Sequence, residues 1–163
     1  MPSDLPPELA ALDRRFRIAT AEVSLPGGAM TVDHPRNADE LISEADFERD
    51  ERLPYWADVW PSSTALASTV ARLDGRGKRA LELGCGLGLV SSAALRAGFA
   101  VVATDYYQDA LLFTRRNSLR ATQREPATRL VDWRDFPADL GRFDLVLASG
   151  VLYERAYASL IAD

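Results

Sequence analysis

The chain has 163 residues and an ordinary apolar share, enough for one domain with a core of its own. Its net charge of −5, with Lys78 the one lysine, leaves no basic stripe and argues against nucleic acid as the main partner. One cysteine (Cys85) and one histidine (His34) exclude an internal disulfide and a metal cage built from those residues, and no apolar run approaches the about 20 residues of a membrane-spanning helix.

The N-terminus lacks a charged start followed by an apolar run, so a reducing cytoplasm is the expected setting. Residues 1–15 read as a tail with a short helix. Val23 and Leu25, then Met30 and Val32, alternate with polar neighbours around Pro26, Gly27 and Gly28, which predicts a β-hairpin over 20–33. His34, before Pro35, is expected as a solvent-facing turn residue. The acid-rich stretch 37–52 predicts a short surface helix capped by Asn37, its charges forming a solvated face. The aromatic, proline-broken run L-P-Y-W-A-D-V-W-P (53–61) reads as an ordered loop. Leu66, Val70 and Leu73 then fall at helical spacing behind Ser62 and Ser63, and Gly75 ends the run.

From there strands and helices alternate: strand 79–83, helix 88–97 closed by Gly98, strand 100–104, a helix capped by Asp109 and running to about 121, strands 128–132 and 143–149, and helix 153–162. Apolar strands alternating with helices predict an α/β domain with a parallel, doubly wound sheet. The expected division is an N-terminal region, 1–52, of tail, hairpin and acidic helix, followed by a Rossmann-like domain, 53–163.

Between the first of those strands and its helix lies E-L-G-C-G-L-G, with Glu82 ahead of Gly84, Gly86 and Gly88. Open α/β sheets bind ligands at this position, and glycines let a ligand approach the backbone closely. Asp105 ends the next strand about 20 residues further on, placed to accept hydrogen bonds from both hydroxyls of a ribose. The dinucleotide fingerprint needs a later third glycine, where this chain has Leu89. The spacing therefore favours a nucleoside joined to an amino acid, S-adenosylmethionine, over NAD. Cys85, between two glycines, reads as a small filler.

Taken in order, L-P-Y-W-A-D-V-W-P, E-L-G-C-G-L-G, A-T-D-Y-Y, V-D-W and F-D-L-V-L-A-S-G-V-L-Y resemble the METTL21-like lysine methyltransferases. That group, also called the methyltransferase 16 family, includes the lysine methyltransferase of the electron-transfer flavoprotein β subunit. The resemblance runs from about Leu53 to Ile161. It implies a class I methyltransferase fold with strands in the order 3-2-1-4-5-7-6, of which this chain supplies 3-2-1-4. The expectation is then that these residues are a fragment of a longer protein or a truncated gene product, the favoured reading, or that the fourth strand is an exposed edge open to self-association.

The resemblance also implies roles. Trp60 would close over the cofactor; Gly84, Gly86 and Gly88 would line its methionine and ribose; Asp105 would hold the ribose. Asp132 and Trp133 would hold the adenine, with Tyr106 flanking it, and Ala148 and Ser149 would floor the sulfonium. Where the family carries an acid facing the reacting amine, this chain has Gly150, although the family tyrosine is present as Tyr153, a candidate catalytic residue. The implied function is transfer of a methyl group from S-adenosylmethionine to a protein lysine or a small amine. Gly150 keeps open the alternative of a cofactor-binding interaction domain with little turnover.

Overall fold

The computed structural model describes residues 5–42, 44, 53–152 and 155–162. The chain opens with two short helices, α1 (Pro7–Ala10) and α2 (Leu12–Arg15), followed by the hairpin of β1 (Ile18–Val23) and β2 (Met30–Pro35). The hairpin pairs antiparallel from Ile18 opposite Pro35 to Val23 opposite Met30. Alternation drives it, because Val23, Met30 and Val32 turn inward to the core. His34 sits within β2 and is half-buried, its Nδ1 2.9 Å from the Pro35 carbonyl, so it is a strand residue and not the expected exposed turn.

Of the acidic stretch, the described part forms a single 3-10 turn, Ala38–Leu41, with Asn37 Oδ1 accepting the Asp39 N–H at 3.0 Å. Most of the helix expected after it lies outside the described residues. The aromatic loop contains a 3-10 turn at Tyr55–Ala57 and leads into α3 (Pro61–Val70), where Pro61 occupies the first turn, a position that needs no N–H donor. The helix stops at Val70, short of Leu73, which is exposed.

The second half is the predicted alternation: β3 (Arg79–Leu83), α4 (Leu89–Arg96), β4 (Ala100–Asp105), α5 (Gln108–Thr122), β5 (Ala127–Leu130), a 3-10 turn at Trp133–Asp135, β6 (Leu145–Ala148) and α6 (Arg155–Ala162). The strands form one parallel sheet ordered β5-β4-β3-β6, which is the expected 3-2-1-4. Asp109 lies inside the first turn of α5, bonded to Arg15, and the cap position belongs to Tyr107. The last two strands are shorter than predicted: β5 ends at Leu130, because Asp132 turns out of the sheet to cap the 3-10 turn through the Arg134 N–H, and β6 is confined to Leu145–Ala148.

One core joins hairpin and sheet: Leu12, Val23, Met30 and Val32 pack with Val70, Val90, Leu95, Val101 and Phe113. A polar clamp reinforces the join. Asp33, 1 % exposed, accepts from Thr20 Oγ1 (2.9 Å), from Arg116 Nε (2.8 Å) and from Arg120. Arg116 also donates to the Leu9 carbonyl and to Asp13, so this buried cation is fully partnered.

Candidate active site

At the C-terminal ends of β3 and β4 the chain opens into a cavity of about 500 Å³. The crossover from β3 to α4 forms its floor. Cys85 N–H donates to the Thr104 carbonyl at 2.9 Å and Gly88 N–H to the Cys85 carbonyl at 2.8 Å, closing a tight turn. The Thr114 hydroxyl, on α5, lies 3.0 Å from the Gly86 carbonyl and 3.2 Å from Cys85 Sγ, pinning the loop from outside. Gly88 has φ +82°, and a Cβ there would lie 2.6 Å from Thr114 Cα. Only glycine satisfies both conditions. Cys85 is buried and burial pushes its thiol up, which fits a packed filler and not a nucleophile.

Three acids of the loop region have fixed surroundings. Asp105 takes the Gly86 N–H on Oδ2 (2.9 Å) and the Tyr107 N–H on Oδ1 (3.0 Å). A carboxylate offers about four lone-pair positions, so both oxygens can accept further donors, as a ribose requires. Glu82 is 1 % exposed and accepts from the Ser91 hydroxyl. Burial pushes its carboxyl up to about 8, with the Asp105 charge adding to the rise. Asp132 binds the guanidinium of Arg134, with Nε 3.0 Å from Oδ1 and NH2 2.6 Å from Oδ2.

Aromatic rings supply the walls. Trp133 stands edge to face with Tyr157 of α6 at 5.4 Å and approaches to 3.4 Å of where a Gly84 Cβ would be. A side chain at Gly84 would fill space next to the indole ring. Trp56 packs among Phe16, Tyr107 and Phe113 and leans over Gly86, its carbonyl 3.3 Å from that residue's would-be Cβ. Trp60, 43 % exposed, donates its indole N–H to the Tyr55 carbonyl at 2.7 Å and meets the Tyr55 ring at 6.0 Å.

The cavity brings together Trp60, Glu82, Gly84, Gly86, Gly88, Asp105, Tyr106, Asp132, Trp133 and Ser149. Ala148, the last residue of β6, is exposed and not part of the lining. Tyr153 lies outside the described residues. The structure adds Trp56, Asp58, Tyr107, Val131, Arg134 and Tyr157 to the walls. Trp56 and Asp58 belong to the aromatic loop already singled out, and reading that whole loop as a wall would have included them. Tyr157 could not be anticipated, because only the packing of α6 on the Trp133 turn brings it in. No group of residues able to hold a metal ion occurs among the described residues, and no described helix is long and apolar enough to cross a membrane.

A family described as "Methyltransferase domain" matches residues 80–161, half of the chain. The chain is 30% identical over 115 residues to the mouse protein-lysine methyltransferase METTL21E, covering 63% of this chain and 47% of that protein. It is 32% identical over 108 residues to the electron transfer flavoprotein beta subunit lysine methyltransferase of Danio rerio, covering 64% of this chain and 41% of that one. The chain thus spans less than half the length of these relatives. Among solved structures, a 16S rRNA N2 G1207 methyltransferase of T. thermophilus superposes with TM-score 0.58 at 21% identity, over 80% of this chain and 32% of that one. The magnesium protoporphyrin IX methyltransferase of Synechocystis PCC 6803 gives 0.53 at 21% identity, over 77% and 66%. These structures share the fold: a class I, Rossmann-like α/β sheet. With sheet order, glycine turn and family match in agreement, the chain belongs to the methyltransferase-domain family.

Proposed function

We propose that the chain binds S-adenosylmethionine and takes part in methyl transfer to an amine, the side-chain amine of a protein lysine. The observation that carries this is the single cavity in which the glycine turn, Asp105, Glu82 and the Trp133 ring converge at the ends of β3 and β4. The surroundings suit the cofactor's parts. Asp105 has acceptor capacity for two sugar hydroxyls, and the buried Glu82 can face the methionine ammonium. The Trp133 ring beside Gly84 offers a face for the adenine, and Asp132 can accept its exocyclic amine; Tyr106 flanks that end. The acids Asp58, Asp105 and Asp132 against Arg134 give the walls a negative balance suited to a sulfonium and an ammonium.

When bound, S-adenosylmethionine supplies a methyl group on a sulfonium, an excellent leaving group. What remains for the protein is position: Ser149 and the glycine turn hold the reacting end, and the aromatic walls exclude water from it. The amine must shed its proton to solvent before its lone pair forms the new N–C bond, while the pair of the breaking S–C bond stays on sulfur. The lysine assignment draws on the mouse and Danio rerio relatives, both named as lysine methyltransferases.

Gly150 supports a second reading, a cofactor-binding domain without turnover, since it stands where the resembling family carries an acid. Calorimetry with S-adenosylmethionine, S-adenosylhomocysteine and NAD tests the cofactor, and peptide-array methylation tests the transfer. Uptake of NAD in preference to the methyl donor would overturn both readings. Uptake of the methyl donor with no methylated peptide would select the second.

A further inference from the structure

Three of the four acids in the cavity wall are held by partners within the chain and are assigned above to the cofactor. Asp105 holds the glycine turn, Asp132 holds Arg134, and Glu82 is buried against Ser91. The fourth, Asp58, is exposed at the rim and has no hydrogen-bond or ion-pair partner among the described residues. It is carried by the aromatic loop between the Tyr55–Ala57 turn and the start of α3. Tyr55 and Trp60 lie three residues before and two after it, both exposed and meeting edge to face at 6.0 Å. The first turn of α3, into which this loop leads, lies against the position left without an acid: Ser62 Oγ is 3.3 Å from where a Gly150 Cβ would be.

We infer that Asp58, with the faces of Tyr55 and Trp60, forms the docking subsite for the substrate's alkylammonium head, providing from the loop the carboxylate that Gly150 lacks. A carboxylate beside two aromatic rings binds a cation by a charge-assisted hydrogen bond and by attraction to the ring faces. The inference rests on the amine-methyltransferase reading and adds to it the substrate's charge and the residue that recognises it. Asp58 is here a positioning and specificity residue. It holds the amine in the cavity that Ser149 also lines and takes no part in bond making. A neutral substrate of the same length gains nothing from it.

The test is an NMR titration of Nα-acetyl-lysine methylamide, and of its neutral Nε-acetyl counterpart, into the 163-residue chain with and without S-adenosylhomocysteine. The cationic probe is expected to bind the wild-type chain, and Asp58→Asn to weaken it by about tenfold or more. Asp58→Glu restores part of the loss, and the neutral probe binds both chains alike. Added salt weakens the cationic probe alone. In methylation assays Asp58→Asn raises KM for a lysine peptide and leaves kcat nearly unchanged. Equal binding of the cationic probe to wild type and Asp58→Asn overturns the inference, as does its failure to bind wild type in either condition. Failure of S-adenosylhomocysteine to bind is a separate outcome: it sinks the methyltransferase reading, and the probe series on the free cavity still decides the role of Asp58.

Discussion

Asn117 and Asp33 are joined face to face: Asn117 Oδ1 accepts the Asp33 N–H at 2.8 Å, and its Nδ2 donates to the Asp33 carbonyl at 2.9 Å. The same Nδ2 donates to the Leu87 carbonyl at 2.8 Å, inside the glycine turn. One buried amide on α5 thus fastens the hairpin and the cavity floor together.

Asn117→Leu keeps the volume and removes all three bonds, leaving buried backbone groups without partners. We expect a loss of about 3 kcal/mol of stability, less than the sum of three separate penalties because the groups relax together. Thermal melting measures it. Calorimetry with S-adenosylhomocysteine should show weaker uptake by the folded variant, because the Leu87 carbonyl no longer has its anchor.

Asp33 should make stability depend on acid. Burial pushes its carboxyl up, but hydrogen bonds from Arg116 and Thr20 and the Arg120 charge outweigh that, and the net direction is downward. Its contribution is therefore present above the unfolded value of about 3.9 and is lost as pH falls through the lower folded value. Asp33→Asn removes the buried carboxylate that Arg116 and Arg120 share and is expected to cost about 3 kcal/mol at neutral pH, with a smaller penalty in strong acid. Urea unfolding at a series of pH values checks both parts.

Glu82 has the opposite sign. An unfolded glutamate titrates near about 4.3, whereas the folded group is held up to about 8 by burial and by Asp105. Between those values the folded chain keeps a proton that the unfolded chain has released. The contribution is complete below the unfolded value and is lost as pH rises through about 8. Glu82→Gln should flatten this decline in urea midpoints. If the cofactor's ammonium faces Glu82, binding near neutral pH also expels a proton, visible as a buffer-dependent heat in the wild-type chain and absent from the variant.

Restoring an acid at the end of β6 carries a conformational cost. Gly150 has φ +63°, and a Cβ there sits 3.3 Å from Ser62 Oγ. Aspartate tolerates left-handed backbone better than most residues, so Gly150→Asp is expected to lose about 1 kcal/mol and a few degrees in Tm, and the β-branched Gly150→Val clearly more.

The open side of β6 predicts association. Among the described residues β6 pairs only with β3, and Val146 on it is 57 % exposed. Light scattering on the isolated chain should show mass rising with concentration, and Val146→Lys should suppress the rise.

The sheet was legible because its strands read as apolar runs bounded by glycine and aspartate, and period alone separates them from the helices between. Gly84, Gly86, Gly88 and Asp105 were legible for a related reason, since their spacing is imposed by one strand-turn-helix unit. The wall formed by Tyr157, and the burial of Arg116 beside Asp33, were not, because both depend on elements far apart in sequence meeting through tertiary packing. The helix after Ser62 ends sooner than its apolar period suggests for a local reason: Leu73 keeps the period while the backbone has already left the helix.

Trp56, Trp60 and Trp133 are all the tryptophans the chain has, and each of them stands in the cavity wall. Intrinsic fluorescence of this protein is therefore a signal from one place. A titration followed at the indole emission reads occupancy without any label, and a denaturation followed the same way reports the opening of that wall.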